Sequence, residues 1–175
     1  MKATYIETER LILRNFRLED AAGMFALNND PEVIQYVPDG PFESIDEASK
    51  FIRNYDAYDK TGMGRWTVLD KEKEKYIGWC GLRYVEEIGK VDLGFRLLKK
   101  HWNKGIATEA AKAALKIGFE SLNVDSVIGR SVPENKSSIR VLEKAGLSYW
   151  KDGHDHGSPI VIYKIEKEDF FKNGI

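Results

Sequence analysis

Val91-Asp92-Leu93-Gly94-Phe95-Arg96-Leu97-Leu98-Lys99-Lys100-His101-Trp102-Asn103-Lys104-Gly105-Ile106-Ala107-Thr108 is the stretch that decides the architecture. An apolar strand over 91–98 runs into a cationic turn, and the turn opens through Gly105 into an alanine-rich helix over 108–122. Arg96, Lys99, Lys100 and Lys104 stand here with no acid between Asp92 and Glu109. A helix start offers unpaired N–H groups and a partial positive charge, which suits phosphate. Glycine lets the backbone come close to a ligand. The segment reads as a pyrophosphate cradle.

Outward from the cradle, periodicity predicts the neighbours. Alternation over 7–15 reads as a strand, and 18–28 as a helix with Ala22, Phe25 and Ala26 inward. Asn28-Asn29-Asp30-Pro31 ends it, and Pro31 starts a short helix. Ser44 caps a helix to about 58, with Glu47 at capping-box spacing and Phe51, Ile52 and Tyr55 as its stripe. Strands follow at 65–69 and 76–85 around a charged turn. The cradle helix has the stripe Ala107, Ala111, Ala114, Leu115, Gly118 and Leu122, and a strand follows over 126–132. Asn135 caps the next helix and Gly146 stops it. Strands at 147–150 and 160–166 close the chain around a polar loop at 152–159 that carries His154 and His156. Strand, helix, strand over 91–132 implies a parallel pair with a right-handed crossover, and the hairpins on either side imply antiparallel pairing. The expected class is α/β with a mixed sheet and helices on both faces, one domain over 1–175.

Composition narrows function by exclusion. A hydrophobic fraction of 42% with 31% charged residues fits a soluble globular chain. A net charge of −1 gives no global pull toward nucleic acid or membrane, and neither partner is expected. One cysteine, Cys80, rules out an intrachain disulfide and a thiolate-rich metal site, so no metal is expected. Residues 1–15 carry charge throughout, unlike a secretory signal, and no run approaches the ~20 apolar residues of a membrane span. A cytoplasmic location follows as the expectation. The phosphate-binding patterns Gly-x-x-x-x-Gly-Lys-Ser/Thr and Gly-x-Gly-x-x-Gly are both absent, which argues against a nucleotide-binding protein.

Trp102-Asn103-Lys104-Gly105-Ile106-Ala107 resembles motif A of the GNAT N-acetyltransferases, Gln/Arg-x-x-Gly-x-Gly/Ala, with Trp102 in the first position. The longer run to Ala110 resembles the RimJ/RimL-like branch, which includes ribosomal-protein N-terminal acetyltransferases. Thr8 to Arg14 is similar to that branch's first strand, and Asn135 to Leu147 to its second signature. The three occur in the family's order. The resemblance implies a GNAT fold: a central, mostly antiparallel sheet whose one parallel strand pair is splayed apart. It also implies acetyl-coenzyme A as co-substrate and a small-molecule or peptide amine as acceptor, with a homodimer left open. The implied activity is direct acetyl transfer to a primary amine. The alternative is a coenzyme A-binding sensor or interaction module without catalysis.

The implied contacts fall on named positions. Asn103, Lys104, Gly105, Ile106, Ala107 and Thr108 would hold the pyrophosphate, and Phe95, Arg96, Leu97 and Leu98 the pantetheine. Asn135 and Ser138 would add contacts from the next helix. Relatives carry a tyrosine seven residues after this asparagine to protonate the leaving thiolate, and here the residue is Leu142. Ser138 is then the candidate donor, one helical turn earlier. A strand N–H near Leu97 is the implied oxyanion donor. Asp92 and Glu86 are the base candidates, with His154 and His156 behind them. The plainer expectations are a solvated strand-end acid for Asp92, helix capping for Asn135, and core positions for Trp66, Trp79, Trp102 and Cys80.

Overall fold

The computed structural model describes residues 5–174 and holds one eight-stranded sheet in the order β1-β2-β3-β4-β5-β6-β8-β7. The strands are β1 Tyr5–Glu7, β2 Leu11–Arg14, β3 Arg65–Asp70, β4 Tyr76–Val85, β5 Lys90–Leu97, β6 Ser126–Ser131, β7 Ser148–Asp155 and β8 Ser158–Glu166. The helices are α1 Ala21–Asn28, α2 Pro31–Ile34, α3 Ile45–Arg53, α4 Ala57–Thr61, α5 Ile106–Glu120, α6 Lys136–Lys144 and α7 Lys167–Lys172. All adjacent strands are antiparallel except β5 and β6. This is the mixed α/β sheet expected.

Alternation sorts the side chains between the two faces. Val91, Leu93 and Leu97 of β5 join Val127 of β6 in the main core, against Ala110, Ala111, Ala114, Leu115 and Phe119 of α5. Small side chains let α5 sit close to the sheet, and Phe119 meets Phe170 of α7 at 5.1 Å. The opposite face carries α1 and α3, joined through Ala21, Met24, Ala48 and Ile52. The even-numbered residues Asp92, Gly94 and Arg96 look that way, as do Trp79, Gly81 and Arg83 across the β4–β5 register.

The structure corrects several local expectations. The inward face of α1 is Ala21, Met24, Leu27 and Asn28, while Ala22 and Ala26 are exposed. The helix expected from Ser44 to about 58 stops at Arg53, and a separate turn of helix, α4, follows. Ser44 does cap it by accepting from the Glu47 N–H at 3.2 Å, but the Glu47 carboxylate reaches the Glu43 N–H, one residue before the cap. The loop expected at 152–159 is a β7–β8 hairpin. His156 and Gly157, with φ of 46° and 79°, form its two-residue turn. Right-handed strand twist favours such a turn, so the polar composition concealed a strand.

One cluster fastens the first strand region to α5. The Glu109 carboxylate accepts from Thr8 Oγ1 at 2.6 Å, from the Arg10 N–H at 2.9 Å and from Arg10 Nε at 2.7 Å. Arg10 Nη1 then donates to the Lys104 carbonyl at 2.9 Å. Two of the sequence signatures are thus partners in space. Burial pushes the Glu109 pKa up, but its bonds to Thr8 and Arg10 outweigh that and hold it below the usual glutamate range. Its contribution to stability is therefore complete above the ordinary glutamate pKa and lost as pH falls through the depressed one. Glu109→Gln should cost about 2 kcal/mol in denaturant unfolding at neutral pH, and the gap from wild type should narrow on acidification through that window. An unchanged midpoint at neutral pH would refute this role.

Candidate functional site

The splay between β5 and β6 makes the site. Only Val91↔Val127 and Asp92↔Ile128 are paired, although β5 continues to Leu97 and β6 to Ser131. From Leu93 onward β5 keeps its β4 partner and has a free edge on the β6 side. A cavity of about 1760 Å³ fills the gap and continues over the face that carries α1 and α3.

The cradle stands at one end. Asn103 and Gly105 both adopt left-handed backbone, φ 58° and 74°, and the chain turns sharply into α5. The first-turn N–H groups have no intrahelical acceptor. Asn103, Gly105, Ile106, Ala107 and Thr108 line the cavity, as do Phe95, Arg96 and Leu97. Leu98 and Lys104 do not; the Leu98 N–H is taken by the Ile77 carbonyl at 2.9 Å, and Lys104 Nζ by the Lys100 carbonyl at 2.7 Å.

The four cations read as one phosphate cluster disperse. The Arg96 head is buried on the opposite sheet face, donating to Asn28 at 2.8 Å and Asp39 at 3.0 Å. Lys99 pairs with Glu32. Lys100 and Lys104 border a separate small hollow with Asp70, Lys73, Lys75 and His101. There burial first, then Lys100 and Lys104, lower the His101 pKa. The cradle's positive character therefore lies in its backbone dipoles. Trp102 is 38% exposed rather than core, and its indole N–H donates to the Leu97 carbonyl at 2.8 Å, tying the loop to the end of β5.

α6 forms the other wall. The Asn135 side chain accepts from the Ser138 N–H at 3.1 Å, the expected cap, and both residues line the cavity. Leu142 lies against β6: a Cβ at Gly129 would come within 2.4 Å of its Cδ2. The missing side chain at 129 makes the hollow that Leu142 fills, which explains a buried aliphatic residue at that position.

Asp92 is buried, not the solvated strand-end acid expected. Its Oδ2 accepts from Arg65 Nη2 at 2.7 Å and its Oδ1 from Arg130 Nε at 3.1 Å. Arg65 crosses two strands to reach it, donating on the way to the Gly81 carbonyl at 2.6 Å. A Cβ at Gly94 would lie 2.6 Å from the guanidinium carbon, so the glycine there keeps the lane open. Trp79 sits beside two guanidiniums, Arg65 at 5.4 Å and Arg96 at 5.2 Å. Sequence reasoning missed Arg65, Arg83 and Arg130; glycines inside strands at 81 and 94 were the available signal of something passing close. Glu86 is exposed and off the cavity, whereas Glu87 lines it. His154 and His156 also line it, from β7 and its turn. No group of His, Cys, Asp and Glu suited to a metal occurs among the described residues.

Comparison with known proteins agrees with this geometry. The GNAT acetyltransferase domain matches residues 10–148. A Bacillus licheniformis protein, named as an uncharacterized N-acetyltransferase, is 36% identical over 148 residues, covering 83% of this chain and 82% of that one. A GNAT-family acetyltransferase from Bacillus anthracis superposes with a TM-score of 0.80 at 28% identity, over 94% of this chain and 99% of its own. The spermidine N-acetyltransferase of Vibrio cholerae, crystallised with CoA and spermine, shares the fold with a TM-score of 0.78 at 21% identity, over 94% of this chain and 99% of that one.

Glutamate at position 105 would place a carboxylate on the cradle and force a side chain into left-handed backbone, a strain of about 1 kcal/mol. Gly105→Glu should weaken coenzyme A binding by on the order of tenfold or more, measured by calorimetry on protein whose circular dichroism is unchanged. Wild-type affinity in the folded variant would exclude the cradle.

Proposed function

The chain belongs to the GNAT acetyltransferase family, and from that premise we propose that it moves an acetyl group from acetyl-coenzyme A directly onto a primary amine in a ternary complex. The three signatures place it, in this reading, in the RimJ/RimL-like branch, acting on a small-molecule amine or a peptide N-terminus. One observation carries the reading. β5 and β6 part company after Asp92 and Ile128, and the free strand edge opens beside the unpaired N–H groups of α5. An extended amide-bearing arm ending in a pyrophosphate matches that pair of features.

Acetyl-coenzyme A supplies the activated acetyl group and a thiol that leaves. The residues of the chain supply the rest. A β5 N–H near Leu97 hydrogen-bonds the acetyl oxygen as negative charge develops there. The acceptor ammonium must first lose a proton. Asp92 is poorly placed to take it, because both its oxygens already accept from guanidiniums. His154 lines the cavity and makes no hydrogen bond or ion pair among the described residues, so the proton is assigned to its imidazole, directly or through water. Asp92 holds Arg65 and Arg130 in position. Ser138 Oγ, or a water it holds, meets the developing thiolate in place of the tyrosine that Leu142 replaces. An acyl-cysteine route is unfavourable, since burial pushes the Cys80 thiol up to about 12 and the nucleophilic thiolate is scarce.

Thiol release from acetyl-coenzyme A tests the reading against peptide N-termini, polyamines, aminoglycosides and amino acids. Turnover with one class supports it. Coenzyme A binding without release from any of them would point instead to a binding module. Ser138→Ala should lower turnover on the order of ten- to a hundredfold and affect coenzyme A affinity less, because the bond strengthens in the transition state. Full turnover would leave Ser138 a helix-turn residue.

A further inference from the structure

Asp92 is one carboxylate shared by two guanidiniums, those of Arg65 and Arg130. The side chains of Arg65 and Arg130 are 12% and 18% exposed, and that of Asp92 is 7%. The exposed Arg83 stands opposite Asp92 in the β4–β5 register, lines the same cavity, and its side chain makes no hydrogen bond or ion pair among the described residues. Arg96 is already committed, donating to Asn28 and Asp39. Two guanidiniums thus hold one buried acid, and a third, on the exposed Arg83, lines the same cavity. Asp155 approaches Arg130 at 3.5 Å and offsets part of its charge, and Glu87 is exposed at the rim.

The donors show which guanidinium groups remain open to a ligand. Arg65 spends Nη1 on the carbonyls of Gly81 and Asp92, and Nη2 on the Asp92 carboxylate. Arg130 spends Nε on Asp92 and turns Nη1 to Asp155, so its Nη2 is unused, as is the whole Arg83 head. Phe16, Phe42, Phe51 and Tyr55 form an apolar wall of the same cavity, with Tyr55 fixed by the Arg65 N–H at 2.7 Å.

We propose that the acceptor amine also carries a carboxylate, which docks on Arg83 and the free Nη2 of Arg130, with an apolar substituent against the aromatic wall. The inference rests on the transferase reading and names the substrate class of that site. A guanidinium fork binds a carboxylate in bidentate fashion. A polyamine, by contrast, would set ammonium groups against the same heads.

The test uses matched acceptors on the intact protein: phenylalanine, its carboxamide, phenethylamine and spermine. Thiol release is followed with acetyl-coenzyme A, and binding is followed by calorimetry with coenzyme A present. The free acid should exceed its carboxamide and the parent amine by at least about tenfold in kcat/KM and in affinity. Arg83→Gln should bring acid and carboxamide to within about threefold of each other while coenzyme A affinity holds. Equal or better use of the carboxamide, the amine or spermine would overturn the inference, as would a preference for the acid that survives Arg83→Gln. If no amine is acetylated but the acid still binds better than its carboxamide in an Arg83-dependent way, the transferase reading fails and the carboxylate site stands. Acid and carboxamide binding alike would remove the carboxylate site whatever the turnover.

Discussion

Two residue pairs hold β5 to β6, and everything functional in the molecule depends on there being only two. A full parallel ladder would use the amide groups from Leu93 to Leu97 and close the gap. Its absence leaves backbone donors and acceptors exposed within a protein wall, a condition that costs free energy unless water or a ligand meets them. The rest of the sheet makes that condition tolerable. β4 stays paired with β5 over its whole length, and β8 with β6, so each diverging strand is held from its outer side. α5 and the Leu142–Gly129 contact fill the space beneath.

The opposite face of the same strands carries the buried Asp92 and its guanidinium partners. Parity does this: on β5 Val91, Leu93 and Leu97 face the α5 core, and Asp92, Gly94 and Arg96 face the other side of the sheet. Arg65 can reach Asp92 because position 94 has no side chain in its path, while Gly81 admits the backbone of Gly64 and Arg65. The buried Asp92 then fixes two guanidiniums at defined angles, and breaking such a pair from one side leaves an uncompensated buried charge. Asp92 is thus a structural anchor, more buried than the His154 and Ser138 side chains that line the same cavity.

The sheet's central elements were legible in the sequence because local rules and global packing agree there. The alternation of 91–98, the alanines of α5, the Asn135 cap and the Gly146 stop each rest on a near-neighbour effect, and each appears within a residue or two of its expected place. What stayed hidden depends on distant residues. The splay was expected only from the family resemblance, because it needs the absence of pairing between strands some thirty-five residues apart, which no periodicity records. Arg96 looked like a phosphate ligand because it neighbours lysines in sequence, yet strand alternation turns it to the other face, toward Asn28 and Asp39. The His154 strand was lost because polar residues on an edge hairpin resemble a loop. Arg65, Arg83 and Arg130 were invisible as a group because three separate strands deliver them.

The Glu109 cluster has a consequence for descent. Of the bonds its carboxylate receives, one comes from the main-chain N–H of residue 10, which any residue but proline retains. The others require a hydroxyl at 8 and a guanidinium at 10. Substitution at 8 or 10 removes part of the set, whereas substitution at 109 removes all of it and leaves both partners without their acceptor. Over generations the two upstream positions can wander one at a time under a fixed acid, but the acid can change only after they have. The order of permitted change along a lineage is thus written into which atoms, backbone or side chain, make the contact.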